Sequence, residues 1–263
     1  MNLPREELAL CQRALNEQTS SRLKADGVIG PATKQVVMRF QQAKGLSVTG
    51  EIDEDTYAIL KAHIDSRFIR REEIAQMARD VNIKPSMLLA ITDKESVGAG
   101  FLFDARPVIL FERHKFYQFT KAKYGVAQAE KWKTENPNIC FPVWSHDAYL
   151  GGVGEWDRFE TARTYEAEIA MLSTSWGLMQ VMGFNYNVCG YETVQDMVED
   201  MMQNEHAQMK AAVNFICRQP NLYVAAKAMN FQGVALAYNG AGFRKNNYDV
   251  ILQQLEAKNR EYN

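Results

Sequence analysis

The sequence is poor in the features that place a chain quickly. No apolar run approaches the ~20 residues needed to cross a bilayer, so stable membrane insertion is not expected. The four cysteines (Cys11, Cys140, Cys189, Cys217) include no CxxC pair, and the four histidines (His63, His114, His146, His206) no HExxH. A metal is therefore not expected. A zinc amidase or endopeptidase would lack its ligand set, and a Cys–His nucleophile pair has no support. The net charge of −2 offers no general cationic surface for nucleic acid. The start, Met1-Asn2-Leu3-Pro4-Arg5-Glu6-Glu7, has acids where a secretory signal would carry a basic and then an apolar run. Synthesis in a cytoplasm without a removable signal is the expectation. No Gly/Ser- or Pro-rich tether interrupts the chain.

What is present is ordinary globular material. The 263 residues are 46% hydrophobic and 24% charged, enough for one large domain or two ordinary ones. Residues 3 to about 62 read as a compact helical unit. Leu8, Cys11 and Leu15 follow helical spacing. Asp26-Gly27 and Gly30-Pro31 make a turn, and Pro31 opens a helix over residues 32–43 with Val36, Val37 and Phe40 on one face. Gly45 ends that helix, Thr49-Gly50-Glu51-Ile52-Asp53 repeats the turn chemistry, and Tyr57, Leu60 and Ile64 line a third helix. The charge-dense stretch Asp65, Arg67, Arg70, Arg71, Glu72, Glu73 marks a junction near residue 66. The expected domains are 1–66 and 67–263.

The second part is organised around one carboxylate. The run Met87-Leu88-Leu89-Ala90-Ile91 leads to Glu95, where Gly98 and Gly100 stop the helix. A carboxyl at a helix end, on the edge of an apolar core and beside backbone that a ligand can approach, is a setting suited to a general acid. The plainer reading is a surface Glu in a last helical turn. Beyond it, Val108 to Phe111 is either a short extended segment or the buried start of a helix. Glu112, Arg113 and His114 follow at once, so Glu112 is either a functional carboxylate or the partner of Arg113 or Arg106 in an ion pair. Residues 120–160 are the least regular; Trp132, Trp144, Trp156, Phe141 and Tyr149 there either line a sugar site or pack a long loop. Helical patterns are read over residues 164–172, 194–217 and 224–237, the second with a Met-rich core stripe. Gln180 is an amide within an apolar run and needs partners if buried. Tyr238-Asn239-Gly240 ends a helix as the residues after Glu95 do.

Two resemblances follow from these motifs. Leu8…Gln12…Leu15, Asp26-Gly27-x-x-Gly30-Pro31-x-Thr33, Phe40-Gln41, Gly45-Leu46, Thr49-Gly50 and Asp53-x-x-Thr56…Leu60 resemble, in order and spacing, the three-helix peptidoglycan-binding domain. That implies a shallow glycan or peptide groove near Asp26, Gly27 and Gln41. Glu95-Ser96-x-Gly98-x-Gly100-Phe101, Ser175-Trp176-Gly177-Leu178-Met179-Gln180-Val181-Met182-Gly183 and Tyr238-Asn239-Gly240 resemble the lysozyme-like enzymes that cut peptidoglycan strands. Adding Arg106 to His114 and Asn185-Tyr186…Cys189-Gly190-Tyr191, residues 70 to 260 resemble the N-acetylmuramidase family of modular phage endolysins. Val97 departs from the Ser usual in that turn.

The resemblance implies a mainly α fold: a small three-helix wall-binding domain, then a larger lysozyme-like domain with at most a short β element. It implies that Glu95 is the general acid and Glu112 the candidate second carboxylate, with Ser175, Gln180, Tyr238 and Asn239 along the cleft. The implied activity is hydrolysis of the β-1,4 bond between N-acetylmuramic acid and N-acetylglucosamine, without metal or organic cofactor, at the end of a phage cycle. Bacterial peptidoglycan is the implied partner, the chain is expected to be a monomer, and a separate membrane-pore protein is expected to release it to the wall. The alternatives are a lytic transglycosylase giving 1,6-anhydromuramic acid and a non-catalytic wall-binding protein.

Overall fold

A computed structural model describes residues 1–96, 98–239, 244 and 247–263, with only the backbone of Asn239. The fold is mainly α, with one small sheet, and divides into two compact units.

The first unit comprises residues 1–69 together with 101–106. Its helices are α1 (Arg5–Thr19), α2 (Pro31–Lys44) and α3 (Glu54–Arg67). They enclose Cys11, Leu15, Val37, Phe40, Leu60 and Ile64. Phe68 completes that core, which carries the unit three residues past the expected junction at 66. Segment 101–106 belongs here because the Arg67 guanidinium lies 3.5 Å from the Phe101 ring centre and bonds the Ala105 carbonyl. Arg22 covers Phe103 in the same manner at 4.4 Å.

Two buried amides set the loops of this unit, and they do so by the same pattern. Gln12 accepts from the Gly27 N–H (2.7 Å) and donates to the Val28 carbonyl (3.0 Å). Gln41 accepts from the Thr49 and Gly50 N–H groups and donates to the Glu51 carbonyl, all at 2.9 Å. Its amide is also 2.9 Å from the hydroxyls of Thr49 and Thr56. Gly27 sits at φ +70°, and a Cβ there would lie 2.2 Å from the Arg5 carbonyl, so this turn admits only glycine. The structure thus corrects the expectation that Gln41 faces a ligand groove. Gln41 is fully buried and its hydrogen-bonding capacity is taken up internally. Replacing it with Leu orphans several buried backbone and hydroxyl groups, each worth about 1–3 kcal/mol. We expect Gln41→Leu to lower the stability of this unit by about 3 kcal/mol or more, measured by urea denaturation of the full chain; an unchanged midpoint would refute the clamp.

The second unit comprises residues 70–100 and 107–263. It starts with α4 (Arg71–Asp80) and α5 (Pro85–Glu95). Met87, Leu88, Leu89, Ala90 and Ile91 are all fully buried, so α5 is the central helix, packed by α4 and by α15 (Tyr248–Lys258). Strand β1 (Ile109–Phe111) follows, settling residues 108–111 as extended. After it come α6 (Arg113–Tyr124), α7 (Val126–Glu135), α8 (Val153–Tyr165) and α9 (Ala167–Leu172). The hairpin β2 (Thr174–Trp176) and β3 (Val181–Met182) pairs antiparallel with β1 in the order β1-β2-β3. Leu110 stands opposite Ser175, and Ser175 opposite Met182. The chain then forms α10 (Tyr186–Cys189), α11 (Val194–Met201), α12 (Glu205–Cys217), α13 (Pro220–Lys227) and α14 (Phe231–Asn239) before α15.

Three expected helical runs are broken by capping chemistry that apolar spacing does not report. Residues 194–217 divide at Asn204, whose side chain caps α12 by accepting the Ala207 N–H. The helix read over 164–172 divides at Glu166, which caps α9 through the Ile169 N–H. The run 224–237 divides at Met229, which takes a positive φ of 56°. Within residues 120–160, the end of α6, all of α7 and the start of α8 together occupy more than half of the stretch read as irregular, leaving 136–152 as the loop.

Candidate active site

The exit of α5 is fixed from three sides. Asp93 accepts a two-pronged bond from Arg71 (2.8 and 3.0 Å) and a third from the Asn259 amide (2.9 Å), tying the helix end to α4 and the C-terminal segment. Lys94 lies 4.6 Å from the Tyr248 ring centre. Glu95, the last helical residue and half-buried, accepts a hydrogen bond from the Tyr248 hydroxyl. Burial first, and the charge of Glu95 second, push both the Tyr248 and Tyr238 phenols up, so both stay protonated donors at physiological pH. Glu95 therefore meets one phenol by contact and a second by its field. Tyr248 carries no motif in the sequence; its contact with Glu95 spans 153 residues. The Asn239 side chain and Gly240 lie outside the described residues, as does Val97.

The backbone beyond Glu95 is held by a second pair of buried polar groups. Glu205 accepts the Gly100 N–H at 2.6 Å, and the Gln208 amide donates to the Gly100 carbonyl (3.2 Å) and to the Met201 carbonyl (2.9 Å). The Gln208 oxygen accepts from the Leu178 N–H (2.7 Å), which joins the loop after Glu95 to the β2–β3 turn. A Cβ on Gly100 would stand 2.1 Å from that oxygen, so close approach, not turn geometry, requires glycine here. Neither Glu205 nor Gln208 is distinguishable in the sequence from an ordinary residue in an amphipathic helix.

Glu112 occupies the N-cap position of α6, and its N–H donates to the Ser173 carbonyl (2.9 Å). Its Oε2 accepts from the Tyr149 hydroxyl at 2.7 Å and lies 3.1 Å from His114 Nδ1. Burial pushes the His114 imidazole down more strongly than the Glu112 charge pulls it up, so at neutral pH the contact is a hydrogen bond donated by the neutral imidazole to the carboxylate. The expected ion pair is not what forms. Arg106 pairs with Asp104 (2.6 Å), and Arg113 donates to the Pro137 carbonyl (3.2 Å). Behind the cluster, fully buried Glu155 accepts from Arg158 (2.7 Å), from the Phe111 N–H (3.0 Å) and from the Leu150 N–H (2.6 Å). One carboxylate thus fixes the residue before Glu112 and the residue after Tyr149.

Ser175 and Gln180 meet on the hairpin. The Ser175 hydroxyl donates to Gln180 Oε1 (2.9 Å), and the Gln180 amide donates to the Gly177 (2.8 Å) and Val108 (3.1 Å) carbonyls. The half-buried amide thus finds its partners in its own hairpin and at Val108 just before β1, with Gln180 at φ +48°. Asp26 and Gly27 belong to the first unit. There the Val28 N–H, above other causes, holds the Asp26 carboxyl below its usual range. Burial pushes the Cys140 and Cys189 thiols up to about 12, opposite to what a cysteine nucleophile needs.

Comparison with known proteins supplies the family. The N-acetylmuramidase model matches residues 84–260, more than half of the chain. The chain belongs to the N-acetylmuramidase family. A peptidoglycan binding domain model matches residues 4–60, the region of α1 to α3. The crystal structure of the Burkholderia AP3 phage endolysin is similar over 97% of this chain and 96% of that one, with a TM-score of 0.69 and 30% identity. No curated protein matches the sequence. With a muramidase domain joined to a peptidoglycan binding domain, the chain is a glycoside hydrolase that acts on peptidoglycan. The muramidase domain contains Glu95, Glu112, Ser175, Gln180, Tyr238 and Tyr248.

Proposed function

We propose that Glu95 is the general acid that protonates the glycosidic oxygen of the β-1,4 bond from N-acetylmuramic acid to N-acetylglucosamine, in the service of bacterial lysis at the end of a phage cycle. The observation that carries this is the place of Glu95: the end of a helix buried from Pro85 to Thr92, half-buried itself, with a phenol directed at its carboxylate. The proton passes from Glu95 to the leaving oxygen, and water supplies the hydroxyl that ends on the sugar's anomeric carbon. Glu112 is assigned as the second carboxylate. Ser175 and Gln180 shape the cleft by holding the hairpin, and Tyr238 and Asn239 lie along it. Asp26 and Gly27 belong to the wall-binding groove of the N-terminal domain, whose core includes Phe68, with the catalytic domain following it. The chain acts as a monomer, without nucleic acid, is made in the host cytoplasm and reaches the wall through a separate pore protein. Among the described residues no helix is long and apolar enough to cross a membrane.

Mass spectrometry of digested peptidoglycan tests the reaction. Reducing-end muramic acid is the expected product; 1,6-anhydromuramic acid would instead show attack by the sugar's own C6 hydroxyl and a transglycosylase. Glu112→Gln should reduce product formation by about a hundredfold, within the range of a single acid–base group; a rate within twofold of wild type would remove Glu112 from the site. Tyr248→Phe removes the phenol that orients Glu95. A misplaced acid costs about tenfold to a hundredfold. The loss should fall on kcat, with KM little changed, and an unaltered kcat would refute the positioning role.

A further inference from the structure

Three of the four tryptophans are built into the core or against it. Trp132 packs among Phe116, Tyr124 and Tyr165. Trp156 and Trp176 pack on each other, with their N–H groups donated to the Pro107 and Met171 carbonyls. Trp144 is different. It is 57% exposed, in the loop between α7 and α8. Its single polar atom, Nε1, donates to the Tyr149 hydroxyl at 2.8 Å. That hydroxyl donates in turn to Glu112 at 2.7 Å, so its orientation is set from both sides. An indole held by its polar edge, with most of its surface in water, has few rotamers left to lose on binding. Its N–H being satisfied within the protein, a ligand need bring only an apolar face. Val143 and Leu150 are also largely exposed in the same loop.

The plate is tied to the charged cluster around Glu112. Glu112 is two hydrogen bonds away from the indole, and His114 beside it is held neutral by burial. Arg113 is turned to the Pro137 carbonyl, and Lys115 lies over Phe184. Lys115 and Arg113 still act on the His114 ring, and Arg158 on the Tyr149 phenol, so charges of both signs surround the plate. What the site offers a glycan strand is the exposed face of the indole, suited to stacking on the apolar face of a sugar ring.

We infer that Trp144 is a stacking plate for a sugar ring of the glycan strand, held in place through Tyr149 by Glu112. Tyr149 acts through Trp144 and is a positioning residue. The inference rests on the reading that Glu112 lines the glycan cleft.

The test uses the full chain. Trp144→Ala and Trp144→Phe are made in the wild type for kinetics on soluble peptidoglycan fragments. The same changes are made in Glu95→Gln for titration with uncharged N-acetylglucosamine oligomers. Trp144→Ala should raise KM and weaken oligomer binding about tenfold or more, the order of an aromatic contact plus its area, with kcat near wild type. Trp144→Phe should recover most of both, because the ring is what matters. Unchanged KM and oligomer affinity in Trp144→Ala would overturn the plate. So would a loss confined to kcat, which would make Trp144 a support for Glu112 alone. Wild-type protein releasing no muropeptides would instead overturn the enzymatic reading, so the two failures are distinct.

Discussion

Glu95→Gln is expected to yield a folded protein that still sediments with cell walls but clears outer-membrane-stripped bacteria about a thousandfold more slowly or worse. General acid catalysis alone contributes about 10²–10⁴ in rate, and the amide cannot deliver a proton to the leaving oxygen. The fold should survive because the amide oxygen of Gln still accepts from Tyr248, and the helix end remains tied through Asp93 to Arg71 and Asn259. Turbidity loss, wall co-sedimentation and thermal unfolding measured together separate a chemical defect from a structural one. Lysis near the wild-type rate would end the proposed role of Glu95. Loss of folding would show that the carboxylate is structural.

The second large effect is on stability. Glu155→Ala leaves the Arg158 guanidinium, 6% exposed, without its counter-charge and orphans the N–H groups of Phe111 and Leu150. Breaking one side of a buried ion pair costs about 3–5 kcal/mol. The loss should appear in urea unfolding of the full chain as an earlier transition of the second unit. Activity should fall with it, because the same carboxylate holds the backbone next to Glu112 and next to Tyr149. Replacing both members by apolar residues, Glu155→Met with Arg158→Leu, should recover stability but not full activity, since the backbone anchors stay missing. A midpoint unmoved by Glu155→Ala would mean that the pair is not what holds this corner.

Local signals were legible where local physics decides. Turn glycines, Pro31 at a helix start and the apolar run before Glu95 located α2 and α5 and placed Glu95 at a helix end. Gln180 was marked by an amide's need for partners in apolar surroundings, and those partners are carbonyls of its own hairpin and of Val108 before β1. Gln41 was misread for a related reason: a motif position says that a side chain matters, not whether it faces a ligand or two loops. The helix breaks at Glu166 and Asn204 escaped notice because apolar periodicity runs across a cap without registering it.

The order of small motifs in the chain was by itself enough to fix a mainly α fold, a wall-binding domain followed by a muramidase, and the carboxylates to examine. Each of those rests on spacing within a few residues, which a linear string records. Only the tertiary structure decided that Tyr248 meets Glu95, that Tyr149 and His114 rather than an arginine meet Glu112, and that Trp144 alone of the four tryptophans stands open to water. Those pairings join residues 35 or more positions apart in two of the cases, or depend on how a loop is pinned from behind, and nothing in a local pattern carries a long-range contact.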